Sequence, residues 1–112
     1  SLVRRIPVSQ SLISAAVLLA RMTRPNEAEA PPLVREYVEW GAGPRASQYL
    51  VLGAKARAAM DGRPQADLDD VKSVALAVLR HRVMTNFAAE AADRTSEDVV
   101  AELVSGGSWL PR

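Results

Sequence analysis

"DLDDVKSVALAVLRHR", Asp67 to Arg82, carries the most regular pattern in the chain, and its reading decides the fold class. Val71, Val74, Ala75, Val78 and Leu79 recur at i, i+3, i+4, i+7 and i+8, the spacing of one helix face. Asp67 is placed to cap the start. Asp69 and Asp70 put negative charge in the first turn, and Arg80, His81 and Arg82 put positive charge at the end, so both ends suit the helix dipole. The three aspartates lack the glycine and distal glutamate of a calcium loop, so capping explains them better than cation binding.

The same helical grammar extends to both sides. Upstream, "SQSLISAAVLLARMTRP" offers Ser9 as an N-cap and an apolar face of Leu12, Ile13, Ala16, Val17, Leu19 and Ala20. Arg21 and Arg24 suit its last turn, and Pro25 stops it. "PNEAEAPP" is a polar, proline-rich loop, and "LVREYVEW" reads as a short helix pairing Leu33 with Tyr37 and Val34 with Val38. "PRASQYLVLGAKARAAM" predicts a helix with Pro44 at its first position and a face of Ala46, Tyr49, Leu50, Gly53, Ala54 and Met60. These mostly small residues admit a close neighbour, and Gly62 follows as the C′ glycine. Downstream, "VMTNFAAEAAD" is ambiguous, extended at first, with Phe87 as a lone aromatic anchor. "TSEDVVAELV" opens with Thr95 and Asp98 at capping-box spacing and buries Val99, Val100, Leu103 and Val104, before Gly106 and Gly107 end it. No stretch alternates with period two for long enough to predict a strand. The expectation is an all-α domain, a small helical bundle of four to five helices.

Composition narrows the function classes. The chain has 112 residues, 48% hydrophobic and 24% charged, enough for one modest core and unlike a disordered segment. Fourteen basic residues against thirteen acidic ones leave a formal net charge of +1, with no general attraction to nucleic acid or an anionic membrane. The absence of cysteine excludes disulfides and thiolate metal sites. With no signal peptide and no transmembrane-length run, the expected compartment is the cytoplasm. His81 is the only histidine, so no multi-histidine metal site can form, and a packed or helix-end side chain is the better reading of it. The phosphate-loop, dinucleotide, zinc-protease and serine-hydrolase motifs are all missing. Nothing here is a self-sufficient active site, and no metal site is expected.

One stretch remains, "WGAGPRAS", Trp40 to Ser47, where two glycines and a proline present a single arginine. Gly43–Pro44–Arg45 places Arg45 at a helix start, where a cation opposes the helix dipole. That arrangement makes sense if an anion is held, because a guanidinium fork matches phosphate oxygens. The plainer reading is a solvated arginine beside glycines that merely build a turn. Spacing alone leaves both open.

"GAGPRAS", the alanine- and leucine-rich helix after it, "DGR", "DLDDV" and "VLRHR" together resemble the C-terminal helical lid (sensor-2) domain of MoxR-type AAA+ ATPases. The magnesium-chelatase ATPase subunits are a more distant comparison. The likeness runs from about Val8 to Val104 and is densest between Trp40 and Arg82. Gly43 stands where the commoner family motif, G-A-S-P-R-A, has serine.

The resemblance implies an α/β nucleotide-binding core absent from this chain and followed by the lid. Residues 1–8 are then a linker from that core, 9–105 the lid and 106–112 a C-terminal tail. It implies Arg45 as the sensor-2 residue, reaching the γ-phosphate of ATP, with Pro44 and Gly43 beside it at the nucleotide. ATP and Mg²⁺ are implied for the full-length protein, held mainly by the core. Implied partners are that core, neighbouring subunits of a ring, typically a hexamer, and von Willebrand factor A-type proteins, with chaperone-like remodelling or maturation of clients. The chain has neither a Walker A lysine nor Walker B carboxylates, so it cannot hydrolyse ATP by itself. Arg80 and Arg82 match a recurring family stretch without an assigned role. Intersubunit packing, a salt bridge to the core and plain helix-end charge all stay open.

Two other classes compete. One is a DNA-binding module using the helix from Pro44 to Met60 with Arg45, Gln48, Lys55 and Arg57, which the near-neutral charge disfavours. The other is a protein-interaction bundle with no nucleotide role.

Overall fold

Side-chain caps set where four of the helices begin. Ser9 accepts from the Leu12 amide at 3.0 Å, Asp67 from Asp70 at 3.3 Å, Asn86 from Ala89 at 3.0 Å and Thr95 from Asp98 at 3.1 Å. The computed structural model describes residues 5–111. In chain order these hold α1 (Gln10–Met22), α2 (Pro32–Tyr37), β1 (Val38–Trp40), α3 (Ala46–Met60), α4 (Leu68–Leu79), β2 (Met84–Thr85), α5 (Phe87–Ala91) and α6 (Ser96–Gly106). The domain is mostly helical, as expected. The four long helices α1, α3, α4 and α6 match the strongest sequence patterns, and both Asp67–Asp70 and Thr95–Asp98 form reciprocal capping boxes.

The helical expectation fails locally, at a two-stranded ribbon. Val38 pairs with Thr85 and Trp40 with Met84, antiparallel and with a register irregularity. "LVREYVEW" is therefore a helix only as far as Tyr37. Strands of three and two residues are too short to show alternation, and their partners are brought together by the packing of the helices that lead into them. Asn86 fastens the junction, donating from its side chain to the Glu36 carbonyl and from its backbone to Tyr37.

The core runs between α1, α3 and α4, with α6 closing on α4. Leu12, Ala15, Ala16 and Leu19 of α1 meet Ala46, Leu50, Ala54 and Ala58 of α3 and Val71, Ala75 and Leu79 of α4 in one buried cluster. The small-residue face of α3 does admit a close neighbour: a Cβ on Gly53 would stand 3.1 Å from Val74. The details of phase differ from expectation. Val74 and Val78 are half-buried, Tyr49 is 41% exposed, and Met60 is 88% exposed because it sits in the last turn, beyond the end of the core. Phe87 is 83% exposed and anchors nothing within the domain, because Asn86 caps α5 and turns Phe87 outward while Ala89 faces in.

Described residues on either side of the helical bundle join the same core. Ile6 packs into it and the Pro7 carbonyl accepts from Ala66, whereas residues 1–4 lie outside the described residues. Trp109 is 1% exposed and donates its indole N–H to the Val104 carbonyl at 3.0 Å. Gly62 has φ +68 and ends α3 in a Schellman motif, with Gly62 donating to Ala59 and Arg63 to Ala58.

Candidate functional site

The loop that carries Arg45 begins at a residue that can only be glycine. A Cβ on Gly41 would lie 2.3 Å from the Thr23 carbonyl oxygen, so the loop at Gly41 lies flat on the C-terminal end of α1. Thr23, buried at 1% exposure, donates its hydroxyl to Ala20 at 2.6 Å and accepts the Ala42 amide at 2.9 Å. Arg24 then reaches across, its Nε donating to the Ala42 carbonyl at 2.7 Å and its Nη2 to the Gly43 carbonyl at 3.1 Å. Reading Arg21 and Arg24 as helix-end charges captured Arg21 only. Arg24 is a fork closed on the backbone of a distant loop.

From Gly43 the chain turns directly into α3. The Ala46 amide donates back to the Gly43 carbonyl at 3.1 Å, so Pro44 and Arg45 form the middle of a turn and not the first helical turn. The helix starts at Ala46, two residues after the position expected from Pro44, and Arg45 is its N-cap with φ −86 and ψ −6. Gly43 keeps ordinary backbone angles and has open space where a Cβ would stand. A serine fits there as well as a glycine.

The Arg45 side chain is exposed and makes no hydrogen bond or ion pair among the described residues, while its carbonyl accepts the Tyr49 amide at 3.2 Å. It gives α3 no side-chain cap, in contrast to Ser9, Asp67, Asn86 and Thr95 at α1, α4, α5 and α6. A 15-residue helix thus opens with a solvent-facing guanidinium and no acidic residue in its first turn. Dipole, amides and cation all favour an anion there. An open groove of about 530 Å³ runs along α1 and the first half of α3, lined by Ser47, Gln48, Tyr49, Leu52, Ile13 and Val17.

The other candidates are accounted for by the fold. Arg82 stacks over the Tyr49 ring at 4.5 Å and donates to the Val78 carbonyl, and Arg80 pairs with Glu97 at 3.6 Å. His81 is exposed. Among the described residues no three His, Cys, Asp or Glu side chains gather where they could hold a metal. Asp67, Asp69 and Asp70 separate in role: Asp67 caps, Asp69 is exposed, and Asp70 is buried. Asp70 accepts the Arg63 fork (Nη1 to Oδ2 at 2.9 Å, Nη2 to Oδ1) and the Asp67 amide, with Arg57 Nε 3.2 Å away. The Arg63 hydrogen bonds hold its carboxyl below the usual carboxylate range, against burial that pushes it up, and raise the Arg63 guanidinium in return. Sequence reasoning missed this ion pair, because "DGRP" reads as a helix stop and gives no hint that its arginine turns back onto the next helix.

Residues 30–103 match the AAA lid domain family, and the chain belongs to it. It is homologous to the "Chaperone MoxR1" of Mycobacterium tuberculosis, 32% identical over 105 residues that cover 94% of this chain and 28% of that protein. Its fold is similar to the crystal structure of a proposed ATPase from Cytophaga hutchinsonii, with a TM-score of 0.78 and 30% identity over 92% of this chain and 31% of that one. The chain therefore spans less than a third of each relative. No helix among the described residues is long and apolar enough to cross a membrane.

Proposed function

We propose that this lid belongs to a longer AAA+ ATPase and couples ATP binding and hydrolysis in a core domain to conformational change of a ring. The observation that carries this reading is the solvent-facing Arg45 at the uncapped start of α3, within a family whose relatives include a chaperone and a proposed ATPase. Arg45 then acts as the sensor-2 arginine toward the terminal phosphate, with Pro44 and Gly43 shaping the turn that presents it. The donor set suits ATP, whose phosphate oxygens match a planar fork beside a helix N-terminus. It does not suit Mg²⁺, which needs oxygen ligands that these residues do not gather, so the metal falls to the core. Residues 1–8 lead in from that core, and the stretch after α6 folds back onto the bundle through Trp109. The ring, a hexamer by family analogy, remodels or matures client proteins in the cytoplasm, with von Willebrand factor A-type proteins as candidate partners.

The chemistry of Arg45 is electrostatic. Charge grows on the equatorial oxygens of a transferring phosphoryl group, and a positioned guanidinium stabilises it more in the transition state than in the ground state. In a full-length ATPase carrying this lid, Arg45→Ala should lower turnover on the order of tenfold to a thousandfold, less than the ~10³–10⁵ of an arginine finger, because the residue also moves the lid. Nucleotide affinity should weaken only modestly. Arg45→Lys should rescue poorly, since an ammonium lacks the fork. Arg57 on the same helix cannot serve as the silent control, because it pairs with buried Asp70, so exposed Lys72→Ala takes that place. The 112-residue chain alone should show no turnover above a protein-free blank. Wild-type turnover in Arg45→Ala removes the sensor reading and leaves an interaction bundle.

A further inference from the structure

We infer that Arg24 is a positioning residue for Arg45, holding the loop that aims it. The inference rests on the sensor reading of Arg45 and adds the element that sets its direction.

The Gly43 carbonyl accepts two donors. One is the Ala46 amide, whose 3.1 Å bond closes the turn containing Pro44 and Arg45. The other is Arg24 Nη2, at 3.1 Å. The same guanidinium binds the preceding carbonyl, that of Ala42, through Nε at 2.7 Å. Two successive peptide planes are therefore fixed by one rigid fork, which sets the direction in which the chain enters Pro44. Ala42 is held from its other side as well, since its amide donates to Thr23 at 2.9 Å. Consecutive residues at the end of α1 thus grip both polar groups of a single loop residue.

Among the described residues the only other bond to this carbonyl is the turn's own, from Ala46. Gly43 and Pro44 are exposed, and Gly43 has no atom within 4 Å of where its Cβ would be. Packing therefore fixes Gly41 and Ala42 but not the turn beyond them. Arg24 is the only described side chain bonded to the Gly43 carbonyl. Its remaining contact, Glu27 at 3.8 Å, lies on its own side of the loop. A displacement of α1 is consequently transmitted to Arg45 through two hydrogen bonds, and loosening them frees the guanidinium without opening the core.

The replacement that separates geometry from charge is Arg24→Lys, which keeps the cation and loses the two-donor fork. Two measurements test it. In the 112-residue chain, amide hydrogen exchange at Ala46 should quicken by about tenfold while core amides such as Leu50 stay protected. In a full-length ATPase carrying this lid, Arg24→Lys should lower kcat by roughly tenfold to a hundredfold, the scale of a reacting group misplaced by about an ångström, with nucleotide affinity nearly unchanged. The double variant Arg24→Lys/Arg45→Ala should be no slower than Arg45→Ala, because a residue acting through Arg45 has nothing left to position. A merely structural role would instead lower stability and add its effect to that of Arg45→Ala. Wild-type kcat in Arg24→Lys beside an impaired Arg45→Ala overturns the inference, as does an additive double variant. If Arg45→Ala itself is silent, the sensor reading fails, and the exchange rate at Ala46 alone decides whether Arg24 orders the turn. Should Arg24→Lys not fold, Arg24→Gln is read the same way, and loss of folding in both variants overturns the inference.

Discussion

Removing Asp70 should be among the most damaging single polar changes in this domain. Its side chain is 1% exposed and completes the capping box of α4, accepting the Asp67 amide at 2.9 Å. It also receives the Arg63 fork and stands 3.2 Å from Arg57. Breaking a buried ion pair by deleting one partner costs about 3–5 kcal/mol when the survivor stays buried and unpaired. Here the survivors are not trapped, since Arg63 and Arg57 are 33% and 49% exposed and can rehydrate. The penalty is then the lost charge-assisted bonds, about 1.5–3 kcal/mol, plus about 1 kcal/mol for the cap. Asp70→Ala should therefore lose about 2.5–4 kcal/mol, and Asp70→Asn somewhat less, since its amide still offers one oxygen.

The same residue predicts a pH dependence. A carboxyl held below its unfolded value of about 3.9 contributes stability that is complete above that pH and lost as pH falls toward the folded value. The gap between wild type and Asp70→Ala should thus be constant from pH 7 to about 5 and shrink below about 4. Urea melts at a series of pH values, with matched m-values, measure both effects. A loss under about 1 kcal/mol, or a gap unchanged at acid pH, would refute the assignment of Asp70 as a buried ionised anchor.

Other expectations follow from burial and close approach. Trp109→Ala should cost about 3–5 kcal/mol in a urea melt, as for a large buried aromatic, and leave only iodide-quenchable fluorescence from Trp40, which is 68% exposed. Gly41→Ala should destabilise by about 1–3 kcal/mol because its Cβ meets backbone, whereas Gly43→Ala or Gly43→Ser should stay within about 0.5 kcal/mol; equal effects would mean that the loop does not lie on α1. Val71→Asp should be several-fold more damaging than Val78→Asp, since Val71 is fully buried and a half-buried aspartate can reach water; thermal melts that rank them the other way would reverse the phase of α4.

The parts legible in the sequence are those governed by local physics. Helix periodicity, the caps at Ser9, Asp67 and Thr95, and the glycine stop at Gly62 depend on residues within a turn or two of one another. They suffice for a helical domain with its main helices in the right places. Arg45 could be singled out for a similar reason, because a glycine, a proline and a cation at a helix start conflict locally unless something else is served. What only the tertiary structure decided is long-range and polar. Arg24 meets the carbonyls of Ala42 and Gly43 across eighteen and nineteen residues, and Met84 finds Trp40 across more than forty. Arg63 neutralises Asp70 only seven residues on, but does so across the turn between α3 and α4, and Trp109, from a stretch that reads as a tail, fills the core. Hydrogen-bond and ion-pair partners at such separations leave no period in the chain. They are chosen by which helix ends the packed core brings within reach.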